Sequence, residues 1–349
     1  MQKATAETTI SLATPQALLG QFVAHMRDDH GMAFNVADDG AHSFENDGYR
    51  IELHAQDRGL RIRLEAPDEN AMSFSKEGIV HHVEEFDTAA AASIRWDNEQ
   101  ARIGTPPENF RVLTVRKSEQ VFDGMQRVTL HYPDIETLQT RGIHLRMILP
   151  RDPSRVPVWP VMGENGAPVW PVGADELHAR YVTLKNIRAD LEEVDIDIVR
   201  HGTGIVSQWA QNASQGQLVG AMGPAGMKNL PEAKSYFLAA DGTGLPAVAQ
   251  LLSRLPQDAV GDVVVALPPS VDPRSYLPES GLTVHTLSPD TFEENVVEMA
   301  ERLTVKDETG YAFFAGEFGN AQSLRAHFKK GLGLDKTTQI SVTYWRRDR

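Results

Sequence analysis

The sequence predicts a multidomain chain: a small α+β domain, then an antiparallel β-barrel, then an α/β domain built on a parallel sheet. Three observations carry that expectation. Residues 14–86 read as a helix, a set of alternating segments broken by Asp-Gly turns, and a second helix. The paired prolines Pro106-Pro107 suit neither helix nor central strand, and after them short β-like runs follow one another with polar breaks. From Lys234 onward strands alternate with amphipathic helices, the pattern of a parallel sheet covered on both faces.

Each element has its own warrant. Residues 14–30, TPQALLGQFVAHMRDDH, place Leu18, Leu19, Phe22, Val23 and Met26 at helical spacing, with Thr14 and Pro15 as N-cap and first helical residue. HSFEN, YRIELHA and LRIRLEA alternate as antiparallel strands between Asp-Gly turns, and a helix near residues 70–86 ends in IVHHVEEF. This small domain is expected over 1–98, with 99–109 as a linker. The barrel is expected over 110–230, from FRVLTVRKSEQ, MQRVTLHY, IHLRMILP, ARYVTLKNI, EVDIDIVRHG and GQLVGAMGP. Within it, residues 157–173 (PVWPVMGENGAPVWPVG) read as a loop or hairpin on their Pro and Gly content. The α/β domain, 231–349, takes its strands from KSYFLAA, GDVVVALPP, GLTVHTLS, GYAFFAGEF and QISVTYW. Its helices are LPAVAQLLSRL, FEENVVEMAERL and AQSLRAHFKKGLGL.

Composition narrows the function. The 349 residues hold 34 Lys and Arg against 48 Asp and Glu, a net charge of −14. Residues 1–100 hold 18 acids and 8 bases, whereas 301–349 hold 6 acids and 9 bases. Nucleic acid is therefore not an expected partner, since phosphate binding needs a basic surface, but a local basic pocket for an anionic ligand is allowed. There is no cysteine, which excludes disulfides, thiolate catalysis and Cys-ligated zinc or iron–sulfur sites. No apolar run approaches a membrane span and the first 30 residues carry no signal-like pattern, so a cytoplasmic protein with no membrane partner is expected.

Two turns stand out chemically. Ala239-Ala240-Asp241-Gly242-Thr243-Gly244-Leu245-Pro246 leaves an apolar strand and opens a helix, with glycines that let the backbone approach a ligand. An ordinary strand–helix turn has the same appearance. The second runs from Asp195 to Ala210, where a strand with alternating acids enters glycines and then a helix, so that backbone N–H groups near Val206 and Ser207 point at whatever sits there. A loop with Ser207 as N-cap and Trp209 packed on the barrel accounts for it equally.

The order of barrel, phosphate-binding helix and α/β domain resembles the ferredoxin–NADP reductase superfamily. Within it, residues 108–349 resemble the siderophore-interacting proteins, FAD-containing ferric-siderophore reductases. The matching features, in order, begin with Phe110-Arg111-Val112, Met125-x-Arg127-Val128-Thr129, His144-x-Arg146 and Trp170-Pro171. They continue with Arg180-x-x-Thr183, Asp197-x-Val199-x-His201-Gly202, Ser207-x-Trp209-Ala210 and Gly223-Pro224-x-Gly226. Asp241-x-Thr243-x-Leu245-Pro246, Ala315-Gly316-Glu317 and Tyr344-Trp345-Arg346 complete the set. Residues 5–90 resemble a small domain of unassigned role that is sometimes fused ahead of this family, with His25 and His30 near its usual histidines.

The resemblance implies an NAD(P)H-dependent, FAD-containing reductase that releases Fe(II) from ferric siderophores, with NADH against NADPH left open. It places Arg180 on the FAD pyrophosphate, a role suited to a permanently charged fork. Val182, Thr183 and Leu184 fall at the isoalloxazine edge; Asp197, Val199, His201 and Gly202 line the flavin and ribityl region; Val206 and Ser207 offer backbone donors to the pyrophosphate. Asp241, Gly242, Thr243 and Gly244 border the nicotinamide cleft, and Gly316, Glu317 and Arg325 lie where the α/β domain faces NAD(P)H. Arg146, Lys185, Arg346 and Arg347 would give the basic mouth an anionic ferric siderophore requires.

Two departures separate this chain from the family pattern. Val182 stands where an aromatic would stack on the flavin, and Gly242 stands where the family has an acid. The first would weaken FAD binding or open one flavin face; the second would change nicotinamide selectivity or hydride geometry. Two other functions are therefore weighed beside the reductase: a general NAD(P)H:flavin or diffusible-acceptor oxidoreductase, and a flavin- or siderophore-binding protein without turnover. No metal site is expected at His25/His30 or His81/His82, because neither spacing puts both rings on one helix face. Trp159 and Trp170 are expected in packing.

Overall fold

The computed structural model describes residues 3–46, 48–97, 102–140, 142–202, 204–226 and 230–347. Residues 99–101 of the expected linker, and Thr203 within the second turn, lie outside them. The chain forms two compact units, one of Met1–Phe110 with Pro150–His178, the other of Arg111–Leu149 with Ala179–Arg349.

The first unit contains β1 (Ala4–Ser11), α1 (Pro15–Asp28), β2 (Asn35–Val36), β3 (His42–Asn46), β4 (Tyr49–Gln56), β5 (Gly59–Ala66), α2 (Glu69–Glu84) and α3 (Thr88–Ser93). Its strands make one antiparallel sheet in the order β1-β5-β4-β3-β2. Period-two burial on β1 sends Ala4, Ala6, Thr8 and Ile10 inward, where they join Leu18, Leu19 and Phe22 of α1 and Ile79, Val80 and Val83 of α2. Strand β1 is absent from the sequence expectation because its ATAETTIS run is too poor in large apolar residues to announce itself. Pro15 does open α1, but the Thr14 side chain does not cap it among the described residues. Helix α2 is capped instead by Asp68, whose carboxylate accepts from the Ala71 N–H at 2.9 Å.

The second unit begins with β6 (Phe110–Phe122), β7 (Met125–His131), α4 (Thr137–Thr140) and β8 (His144–Pro150). The intervening 150–178 segment carries the small hairpin β9 (Val161–Met162) and β10 (Pro168–Val169) and belongs to the first unit. β11 (Leu177–Arg188), β12 (Glu193–Val199), α5 (Ile205–Asn212) and β13 (Leu218–Ala225) follow. Six strands close into a barrel in the order β11-β12-β7-β6-β13-β8, around Leu113, Val115, Val128, Leu130, Leu184 and Ile196.

The rest of this unit is β14 (Tyr236–Ala240), α6 (Leu245–Leu252), β15 (Gly261–Ala266), β16 (Thr283–Leu287), α7 (Phe292–Leu303), β17 (Tyr311–Glu317), α8 (Phe318–Ala326) and β18 (Gln339–Trp345). All five strands are parallel, in the order β16-β15-β14-β17-β18. Strand alternation divides the core. Leu238 and Ala240 pack with α6, while Phe237 and Ala239 pack with α7 and α8. The strand order reverses between β14 and β17, so their carboxyl ends form the crevice where open α/β sheets bind ligands. Among the described residues no helix is long and apolar enough to cross a membrane.

Candidate functional site

The floor of that crevice is the turn after β14. Asp241 is 7% exposed, and its Oδ1 accepts from the Thr243 N–H at 2.8 Å, the Thr243 hydroxyl at 2.5 Å and the Gly244 N–H at 3.2 Å. Its Oδ2 accepts from the Trp345 indole N–H at 2.7 Å. Burial pushes the carboxyl up from its ordinary value, opposed by the hydrogen bonds from Thr243, Trp345 and Gly244. Glycine is required on both sides: a Cβ on Gly244 would sit 2.4 Å from the Ala315 carbonyl oxygen, and one on Gly316 2.6 Å from Asp241 Oδ2. Gly242 is different. A Cβ there would stand 3.4 Å from Val199 on β12, an ordinary contact that also shows the sheet's turn lying against the barrel.

A second link joins the two halves of this unit. Thr183, buried on β11, has its Oγ1 3.3 Å from His144 Nδ1, and His144 Nε2 is 3.3 Å from the Tyr344 hydroxyl on β18. Burial lowers the His144 pKa to about 4, so the imidazole is neutral at physiological pH and serves as a hydrogen-bonding bridge rather than a cation. Val182 lies half-buried against the barrel core, on the strand face it shares with Leu184, whereas Tyr181 is 59% exposed.

Several expected ligand groups have internal partners. The Asp197 side chain is fully buried; Arg127 donates to its two oxygens at 2.7 and 2.8 Å and the Tyr276 hydroxyl donates at 2.7 Å. That carboxylate braces β12 against β7, and burial with the nearby Asp197 charge drives the Tyr276 phenol well up. Lys185 donates to the Tyr276 carbonyl at 3.0 Å and stands 4.5 Å over its ring, with burial pulling the ammonium down. Glu317 caps α8 through the N–H groups of Gly319 and Asn320. Arg325 donates to the Ser341 carbonyl, Arg347 pairs with Glu293, and the Arg346 guanidinium stacks 3.6 Å over Phe318. Arg146 reaches Met222 Sδ at 3.4 Å. These side chains were expected to face ligands; each also has a partner within the protein, set by cross-strand register and helix capping, which spacing does not reveal.

The loop before α5 is held by Ser207, whose hydroxyl accepts from the His201 N–H at 2.8 Å and donates to the His201 carbonyl at 2.9 Å. The His201 ring lies over Gly204, where a Cβ would come within 2.2 Å of it. Gly204 opens α5 with no side-chain cap among the described residues, so the first-turn N–H groups of Ile205, Val206 and Ser207 are the donors available there. Gly202 has open space around its Cβ position, and Arg180 is exposed with Nη1 on the Ala179 carbonyl at 2.9 Å. An uncapped helix start, an exposed guanidinium on β11 and a buried threonine hydroxyl are groups of the kind that suit the pyrophosphate and ring edge of a flavin dinucleotide.

A closed barrel followed by a doubly wound sheet, whose switch-point turn lies against a barrel strand, defines a dinucleotide-binding class of protein. Residues 114–228 match the siderophore-interacting FAD-binding domain, and residues 233–348 match the siderophore-interacting protein domain. The chain belongs to the siderophore-interacting protein family, and FAD is the cofactor of its barrel. Residues 7–97 match a separate family described as an uncharacterized protein conserved in bacteria (DUF2218).

Named relatives agree. The chain is 27% identical to the ferric vibriobactin reductase ViuB of Vibrio cholerae over 68% of its own length and 89% of that protein. It is 29% identical to the NADPH-dependent ferric-chelate reductase of Escherichia coli, over 68% and 92%. The crystal structure of the siderophore-interacting protein SipS from Aeromonas hydrophila superposes with a TM-score of 0.57 at 26% identity, covering 69% of this chain and 93% of that one. A siderophore utilization protein from T. fusca gives 0.58 at 25% identity, over 69% and 94%.

Proposed function

We propose that this protein is a cytoplasmic, NAD(P)H-dependent, FAD-containing reductase of ferric siderophores that releases Fe(II) for assimilation. The observation that carries it is the meeting of the Asp241–Gly244 turn with Val199 of the barrel, which sets a nicotinamide-type crevice against a flavin-type barrel. The activities named for the Vibrio cholerae and Escherichia coli relatives support the substrate class and the reductant. When bound, FAD supplies the conversion of a two-electron reductant into single electrons. One NAD(P)H then reduces two ferric complexes and leaves as NAD(P)+ with a proton. Hard oxygen ligands favour Fe(III) over Fe(II), so reduction loosens the metal.

The chain's own residues position and bind. Arg180 and the first turn of α5 would hold the pyrophosphate, and Thr183, fixed by the neutral His144, would face the ring edge, while Asp241 and Trp345 keep the crevice floor in place. Arg146 and Arg346 are the proposed contacts for an anionic siderophore. A flavin- or siderophore-binding protein without turnover is the second reading, favoured by Val182 and Gly242 standing where the family has an aromatic and an acid. Purified protein is expected to be yellow and to release FAD on denaturation, with Arg180→Ala lowering occupancy while the fold persists, since Arg180 is exposed. Colourless protein that also takes up no added FAD would remove the proposal.

A further inference from the structure

The two helices of the first unit bring together histidines that lie far apart in sequence. His25 is in the last turn of α1, and His82 is in the last turn of α2 with Glu85 just beyond it. Gly31, at φ +67°, ends α1; its N–H returns to the Arg27 carbonyl at 3.1 Å and the Met32 N–H to the Met26 carbonyl at 2.8 Å, which folds His30 back over the helix end. Around His25 Nε2 lie His30 Nε2 at 3.1 Å, His82 Nδ1 at 3.2 Å and Glu85 Oε2 at 3.2 Å. The one-helix spacing argument fails here because the cluster is assembled across two helices and a turn.

The polarity of this cluster is the decisive point. His25 Nδ1 is 2.8 Å from Asp29 Oδ2, a carboxylate that accepts a hydrogen bond from the Nδ1–H and so favours the tautomer whose lone pair is on Nε2. That lone pair faces two more imidazoles and the acceptor-only oxygen of Glu85. A cation at their centre would be bound by all four of these atoms at once. Donors at ~2.0–2.1 Å from a tetrahedral ion stand ~3.3 Å from one another, close to the three spacings from His25 Nε2, and the His25, His30 and His82 ring nitrogens all lie within 4.8 Å of one another. The His25 and His82 side chains are only 17% and 16% exposed, and the Phe86 ring lies edge-on to His25 at 5.5 Å, so the centre has an apolar wall. The acidic balance of residues 1–100 adds long-range attraction for cations.

We propose that His25, His30, His82 and Glu85 form a binding site for one divalent first-row transition-metal ion, with Asp29 orienting His25. Three imidazoles and a carboxylate, with no thiolate, suit ions such as Zn(II), Fe(II) and Co(II) rather than Ca(II) or Mg(II). The site stands independently of the reductase reading, since its residues belong to the first unit alone.

The test is calorimetric titration of the full-length, tag-free, chelator-treated protein with Zn(II), and anaerobically with Fe(II). It is paired with visible spectra of the Co(II) form. One ion per chain is expected, with d–d bands of low-symmetry nitrogen coordination. His30→Ala, at an exposed position outside the helix, should abolish the bands and weaken binding by more than about 100-fold. Asp29→Asn, which only removes the orienting partner, should cost about 10–100-fold. Circular dichroism of both variants should match wild type, and a His54→Ala control should bind normally. Sub-stoichiometric uptake of all three ions, or wild-type affinity in folded His30→Ala and His25→Ala, would overturn the site.

Discussion

The indole N–H of Trp345, on the last strand, donates to Asp241 Oδ2, at the first turn of the parallel sheet, at 2.7 Å. The bond crosses the switch point, because β14 and β18 flank β17 on opposite sides. It ties the chain's C-terminal strand to the crevice floor. Trp345→Phe keeps an aromatic ring, though a smaller one, but leaves a buried carboxylate oxygen short of a donor, so it should destabilise the protein by about 1–3 kcal/mol. Denaturant unfolding checks this, and an unchanged midpoint would show the bond to be dispensable.

The two glycines of the same turn should behave oppositely. Gly244→Ala drives a Cβ against the Ala315 carbonyl, a backbone atom that cannot give way, and should cost about 2 kcal/mol or more. Gly242→Ala meets Val199 at ordinary contact distance and should stay within about 0.5 kcal/mol of wild type. Thermal melts of the pair, side by side, read the difference.

Breaking the barrel brace should be more severe. Arg127→Met removes both guanidinium donors from a fully buried Asp197 and leaves the Tyr276 hydroxyl as its hydrogen-bond donor among the described residues. The expected loss is about 3–5 kcal/mol. The double variant Arg127→Met with Asp197→Leu should recover much of it, and failure to recover would mean the loss came from packing instead.

His144 should make stability pH-dependent on the acid side. Its folded pKa of about 4 lies below the ordinary histidine value near 6.5, so between these values the unfolded chain binds more protons. Stability from this group is therefore complete above pH ~6.5 and falls as pH drops towards 4, by up to about 3 kcal/mol. His144→Gln should flatten that part of the curve, as followed by urea midpoints from pH 7 to 4.

The layers of the fold were legible where side-chain periodicity carries them. The alternation of apolar strands with amphipathic helices after Lys234 identifies a parallel sheet covered on both faces, and the structure packs Leu238 and Phe237 of β14 into the cores on its two sides. Strand β1 was not legible, because threonine and alanine at its inward positions give little hydrophobic contrast. At the site, Asp241 and Gly244 stood out from the glycines of their turn and Gly316 from the family resemblance, and the three meet at one place. What Asp197, Lys185 and Glu317 bind was not legible. Their partners are set by cross-strand register, by an aromatic 91 residues away and by a helix start, none of which leaves a local pattern. The histidine cluster escaped for the same reason, since its members lie on two helices and a turn.

In the proposed function, barrel and sheet form one electron path from nicotinamide to ferric siderophore. Anaerobic stopped-flow absorbance of the FAD-loaded protein tests it most directly, with a nicotinamide added first and a ferric siderophore second, beside a colorimetric Fe(II) trap. Bleaching of the flavin by NADPH or NADH, then its recolouring as two Fe(II) are trapped per flavin, is the predicted result. Flavin that neither nucleotide bleaches, or that once reduced chemically is not reoxidised by any ferric siderophore, would contradict the account.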